Sequence, residues 1–322
     1  MSSTQWTVSA VAGSGEQGYS GDGSSALDAR LNNPFDLAFS PNGSLIFSDT
    51  FNHCIRRVDA VTGIISTICG TGQRGFSGDG GVATLAELNE PYGVVVDRLG
   101  RVFFADRLNR RVRVIDCMGV VSTLAGEGRA AGPAGLSEPN GLALDSAQGR
   151  LFIADVAGHQ VRVVDLGTGG MSTVAGTGAA MHDGDGGAAV DAGVFGARAV
   201  AFAPDGSLYV MERQGSCIRR IRDGVIETVA GTGARGYAGD GGDARLAVFA
   251  APKEMAVDPA GNIYVVDTEN HAIRLIDAKT WIVTTIASGL ARPHGVLVAP
   301  DGSVLVADSE HHQVRRLVRG GF

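Results

Sequence analysis

Three observations predict an all-β chain folded as a six-bladed β-propeller of four-stranded antiparallel blades. One string recurs six times, a fragment of its partner string stands alone at the N-terminus, and no stretch shows helical periodicity. The copies begin at Pro34, Pro91, Pro139, Ala197, Pro252 and Pro293, about 40 to 60 residues apart.

Within a copy the period is that of strands. A run such as VVVD is followed by a turn such as PNG, DPAG or PDG, then a run such as VFFAD, then VRVID. That order gives three antiparallel strands joined by hairpins. A second repeated string, IISTICG from Ile64, VVSTLAG from Val120, MSTVAG from Met171, VIETVAG from Val225 and IVTTIASG from Ile282, supplies the fourth strand. The last blade, residues 293–318, runs out of chain before its fourth strand, whereas WTVSAVAG at 6–13 follows no blade. The N-terminal strand is therefore expected to complete the C-terminal blade and close the ring, so that residues 1–322 form one propeller. Closure removes a sheet edge that would otherwise template aggregation.

Composition agrees with a packed, strand-rich ring. The chain has 322 residues, 44% of them hydrophobic, and its 48 glycines are spread over turns. A net charge of −7 and the lack of a Lys/Arg run give a nucleic-acid partner no electrostatic support. No apolar stretch approaches the roughly 20 residues needed to span a bilayer. The N-terminus lacks the basic and apolar regions of a secretory signal. Four cysteines are too few for a disulfide scaffold; free thiols in a monomeric, cytoplasmic protein are expected.

The pattern P-x-G-[VL]-A-[VL]-D, G-x-[LV]-[YF]-[VI]-[AV]-D and N-H-x-[IV]-R, with the linking F-S-G-D-G-G-x-A, resembles the NHL-repeat six-bladed propellers. The resemblance covers essentially the whole chain. It implies a fold rather than a function, since such rings serve as enzymes, ligand sensors and protein-binding platforms.

Six copies provide an internal control. Features shared by most blades belong to the ring, and features peculiar to one blade call for another explanation. The GDG aspartates Asp22, Asp79, Asp185 and Asp240 recur, so turn and cap roles are favoured over calcium. The acid closing the second strand (Asp49, Asp106, Asp155, Asp267, Asp308) reads as a loop-fixing acceptor, and His53, His159, His271 and His312 share one structural position. His182, in a Gly/Ala-rich loop, is expected to be solvated.

The start of the innermost strand, at the mouth of the central channel, behaves differently. The residue after the opening Pro or Ala runs Phe35, Tyr92, Asn140, Arg198, Lys253, His294. The next is Gly93, Gly141 or Gly295 in three blades but Asp36, Ala199 and Glu254 in the others. Blade 4 also carries Glu212 and Arg213 in the place of the Asp-Thr seen in blades 1 and 5. Glu212 either reaches the rim or mimics the common Asp.

These residues suggest a ligand site. Arg198 and Lys253 would orient an anion, with Asn140, Phe35 and Glu212 as further substrate contacts. His294 could exchange protons, Asp36 or Glu254 could orient it or act as base, and Tyr92 could donate to a developing oxyanion. The set suits an acid/base lyase or hydrolase acting on a small anionic molecule; no nucleotide fingerprint is present. A divalent cation, Ca or Zn, held by Asp36, Asn140, Glu254 and His294 is an alternative use of the same groups. The set loosely resembles that of gluconolactonase-type propellers, whereas the NHL-like amidating lyase uses several histidines and zinc where this rim offers one. The competing class is a non-catalytic platform for a peptide or protein.

Overall fold

The computed structural model describes residues 6–126 and 135–320. They form six antiparallel sheets, each with one strand at the centre of the ring and its later strands placed successively outward. Blade 1 comprises Pro34–Phe39, Leu45–Asp49, Cys54–Val58 and Ile65–Cys69. Blades 2 to 5 repeat that order, their innermost strands being Pro91–Val96, Pro139–Leu144, Ala197–Phe202 and Glu254–Val257. Blade 2 gains a short outer strand, Gly81–Val82. Helical structure among the described residues is confined to three-residue 3-10 turns.

Ring closure follows the expected route. In blade 6 the strands Gly295–Val298, Val304–Asp308 and Gln313–Arg319 are joined by Trp6–Ala12, which pairs antiparallel with the third, Trp6 opposite Arg319 and Ala12 opposite Val314. Gly13 ends that strand at φ +92°, and an added Cβ would collide with the His312 carbonyl. Gly70, Gly126, Gly176 and Gly231 stand in the same relation to His53, Arg110, His159 and Ser216. The N-terminal segment thus has the geometry of a fourth strand, and only glycine fits the close approach.

Six apolar clusters fill the six interfaces between neighbouring blades, which is why the strands are apolar on both faces. The recurrent polar residues act as clamps. Arg56, Arg113, Arg219 and Arg274 are fully buried, and each joins the acid closing its blade's second strand to a GDG aspartate. The GDG aspartates are therefore ion-pair partners, a stronger duty than the turn and cap roles expected of them. The shared histidines adopt positive φ, and Nδ1 accepts a backbone N–H from the next blade in three of them: His53 from Glu90, His159 from Gly196 and His312 from Asn33, while His271 Nδ1 sits between the Arg292 N–H and the Leu290 carbonyl.

Candidate functional site

The innermost strands of blades 1 to 4 open with a β-bulge, at Pro34/Leu37, Pro91/Val94, Pro139/Leu142 and Ala197/Ala199. A bulge breaks the strict alternation of a strand and re-aims its side chains. Here it falls on the variable residues, and five of the six converge. Phe35, Tyr92, Arg198, Lys253 and His294 line a cavity of about 310 Å³ at the channel mouth, with Arg107, Arg213, Arg292, Glu90 and Glu310 around it. Larger clefts open on the outer surface, one of about 660 Å³ between blades 1 and 2, without such a buried ionisable cluster.

At the centre, Lys253 Nζ lies 2.7 Å from His294 Nε2. His294 Nδ1 lies 2.8 Å from the Arg292 carbonyl, which can only accept, so Nδ1 carries the proton and Nε2 offers its lone pair to Lys253. The imidazole stacks on Phe35, 3.9 Å between centroids and 6° from parallel. Burial, followed by the neighbouring Lys253 and Arg198 charges, holds His294 well below the usual histidine range. Burial, then the cations Arg198, Arg292 and Arg213, brings Lys253 down to about 7. Its nearest carboxylate oxygen, on Glu269, is 4.0 Å away and shared with Arg292.

Arg198 is held by Asn140, whose Oδ1 accepts from Nη1 at 2.6 Å, and lies over the Tyr92 ring at 4.1 Å. Its Nε and the Tyr92 hydroxyl are buried without hydrogen-bond partners. Burial pushes Tyr92 up to about 12, so it stays a protonated donor. Arg107 and Arg292 each pair with two glutamates. No carboxylate pairs with Arg198 or Arg213 among the described residues. Net positive charge therefore faces the cavity.

Asn140 is thus a support for Arg198 rather than part of the cavity wall. Asp36 and Glu254, one residue further along, lie outside the cavity lining. Asp36 accepts the N–H groups of Leu37 and Val94, both at 2.8 Å, and so ties blade 1 to blade 2. Burial raises Asp36 to about 7; burial and then the Asp36 charge put Glu254 well above the usual carboxylate range. Asp36, Asn140, Glu254 and His294 do not fit a cation. His294 Nε2 is engaged by Lys253, Asn140 Oδ1 by Arg198 and both Asp36 oxygens by backbone amides.

Glu212 is a correction to the rim assignment. Its side chain is fully buried away from the cavity, accepting from Arg219 and meeting His182 Nδ1 at 2.8 Å. His182 is consequently paired rather than simply solvated. Arg107 and Arg292 were not anticipated at the mouth. Arg107 and Arg213 stand where blades 1, 5 and 6 carry Thr50, Thr268 and Ser309, hydroxyls that bond the next blade's opening proline carbonyl. Extending to every blade the comparison that singled out Arg213 would have found Arg107, but not Arg292.

A closed ring of six four-stranded blades, regular in its clamps and irregular at its mouth, defines the β-propeller class. Within that class the chain is an NHL-repeat six-bladed propeller: the pattern described as Teneurin NHL domain matches residues 69–127, and NHL repeat matches 249–274 and 290–317. Protein SUPPRESSOR OF QUENCHING 1, chloroplastic, of Arabidopsis thaliana is 29% identical over 83% of this chain and 27% of its own length. Teneurin-3 of Danio rerio is 30% identical over 76% of this chain and 11% of its own length, so the chain spans only a fraction of these relatives. Among solved structures, virginiamycin B lyase from Staphylococcus aureus superposes with TM-score 0.64 at 12% identity, covering 98% of this chain and 99% of that one. A Xanthomonas campestris gluconolactonase gives 0.64 at 15% identity, covering 90% and 87%. At these identities the likeness is one of fold.

Proposed function

We propose that the mouth cavity binds a small anionic molecule and that Lys253 and His294 transfer a proton on it, in an acid/base reaction of the lyase or hydrolase kind. The observation that carries this reading is the Lys253–His294 contact beside two arginines with no carboxylate partner. An amine titrating near 7 has appreciable populations of both forms at neutral pH, which general acid–base catalysis requires. Arg198, fixed by Asn140, and Arg213 would orient the anion. Tyr92, buried with an unpartnered hydroxyl, would donate to charge developing on the substrate. That two solved structures of similar fold are a lyase and a gluconolactonase supports the reaction class.

The test is calorimetric titration of a library of small carboxylates and lactones, followed by product analysis for each binder. Binding of a small anion that falls about tenfold or more in Arg198→Met, with turnover lost in Lys253→Met, is expected. Absence of any binder, or binding and turnover untouched in both variants, would overturn the reading.

A further inference from the structure

Blade 4 differs from blades 1, 2 and 5 at three positions around its clamp arginine, and the three meet in space. The aromatic residue two places before the GDG aspartate's glycine is Tyr19, Phe76 or Tyr237 in blades 1, 2 and 5, where it lies against the clamp arginine at 5.1, 5.2 and 4.8 Å. Blade 4 has His182 there. The acid closing the second strand is Asp49, Asp106 or Asp267 in those blades and accepts from Asn52, Asn109 or Asn270. Blade 4 has the longer Glu212, and Gly215 in place of the asparagine. Glycine here leaves room for the carboxylate, since a Cβ on Gly215 would collide with Glu212 Oε2, as one on Gly158 of blade 3 would with Asp155. The carboxylate fills the vacated space and reaches His182 Nδ1 at 2.8 Å, while Cys217 Sγ lies 3.7 Å from the same nitrogen.

We propose that His182, Glu212 and Cys217 form a binding site for one zinc-like divalent transition-metal ion, outside the mouth cavity. Their donor atoms all lie within 4.8 Å of one another. A tetrahedral zinc ion with its usual bond lengths spaces nitrogen and sulfur donors by about 3.6 Å, and nitrogen and oxygen donors by about 3.4 Å. The nitrogen–sulfur separation already matches, and the nitrogen–oxygen pair must open by about 0.6 Å to admit the ion. Sulfur, imidazole nitrogen and carboxylate together favour zinc-like ions over calcium or magnesium.

The surroundings hold the donors in place. Glu212 Oε1 is committed to Arg219, leaving Oε2 to the site, and Arg219 is balanced on its other side by Asp185. His182 Nε2 lies 3.3 Å from Thr228 Oγ1, a partner for the ring N–H when Nδ1 binds metal. The half-buried imidazole gives the ion a way in. Binding displaces the thiol proton of Cys217 to solvent, so thiolate and carboxylate offset the two charges of the ion, and affinity rises with pH. Three protein ligands leave a fourth position for water or an added ligand.

Cobalt(II) titration of the whole chain, followed by absorption, tests the site. A thiolate-to-cobalt charge-transfer band should saturate at one equivalent and be displaced by zinc. His182→Tyr, which restores the residue of blades 1 and 5, and Cys217→Ser should both abolish the band, while Cys117→Ser, which removes the exposed thiol, should keep it. No saturable band, a band surviving in H182Y and C217S, or a band lost only in C117S would overturn the proposal. Should C217S fail to fold, the thermal midpoint decides: zinc must raise it in the wild type and leave it unchanged in H182Y.

Discussion

Lys253 Nζ donates to His294 Nε2 across 2.7 Å, joining the innermost strands of blades 5 and 6 at the channel mouth. The contact requires a neutral imidazole, and the surrounding arginines make the ammonium costly. A lysine whose pKa falls from its ordinary value to about 7 on folding binds fewer protons folded than unfolded between pH 7 and about 10.4. The Lys253 penalty on stability is therefore full below pH 7 and relieved as pH rises through that window. Lys253→Met should melt higher than the wild type at pH 6, with the gap closing by pH 10 in thermal melts. Anion affinity should weaken as pH rises through about 7 in the wild type and lose that dependence in the variant.

Glu254 titrates in the opposite sense. Its folded pKa is raised, as is that of Asp36, so the folded state holds extra protons above the ordinary carboxylate range. The associated stability is complete at acid pH and is lost as pH rises through the raised values. Glu254→Gln should flatten the fall in denaturation midpoint between pH 5 and pH 8. An unchanged slope would mean that Glu254 is ionised in the folded ring.

Arg113 is fully buried between Asp106, also fully buried, and Asp79, which is partly exposed. Removing the arginine strands a buried carboxylate, whereas removing Asp79 does not. Arg113→Ala should cost about 3–5 kcal/mol in urea unfolding. Asp79→Asn should cost about 1 kcal/mol or less.

Deletion of residues 1–12 should lower the thermal midpoint of the whole ring and promote aggregation, because it bares the edge of the strand Gln313–Arg319. Gly13→Ala should destabilise by more than about 1 kcal/mol, since it combines positive φ with a clash against the His312 carbonyl. A truncated chain that melts with the intact one would refute closure as a stabilising device.

The comparison of blades within one chain read the fold almost completely, including the strand displaced to the N-terminus. It did so because each blade repeats the same local chemistry: turn glycines, a second-strand acid and a third-strand arginine. The variable mouth positions were also visible, and Phe35, Tyr92, Arg198, Lys253 and His294 do share a cavity. The comparison failed where direction mattered. Asp36 and Glu254 are sequence neighbours of mouth residues, yet both side chains lie buried outside the cavity lining. Glu212 looked like a rim residue, but its backbone position turns it outward toward Arg219 and His182. Arg292 reaches the mouth from the loop before blade 6, and its pairing with Glu269 of blade 5 is a contact between loops that the repeat does not encode.

By itself, then, the order of residues determined the ring, its number of blades and the strand that locks it. Those depend on period, turn chemistry and apolar patterning, which are local. Only the tertiary structure decided which odd side chains share a cavity and what protonation they adopt. Burial and the charges of other blades set the balance between Lys253 and His294, and both arise only once the ring has closed.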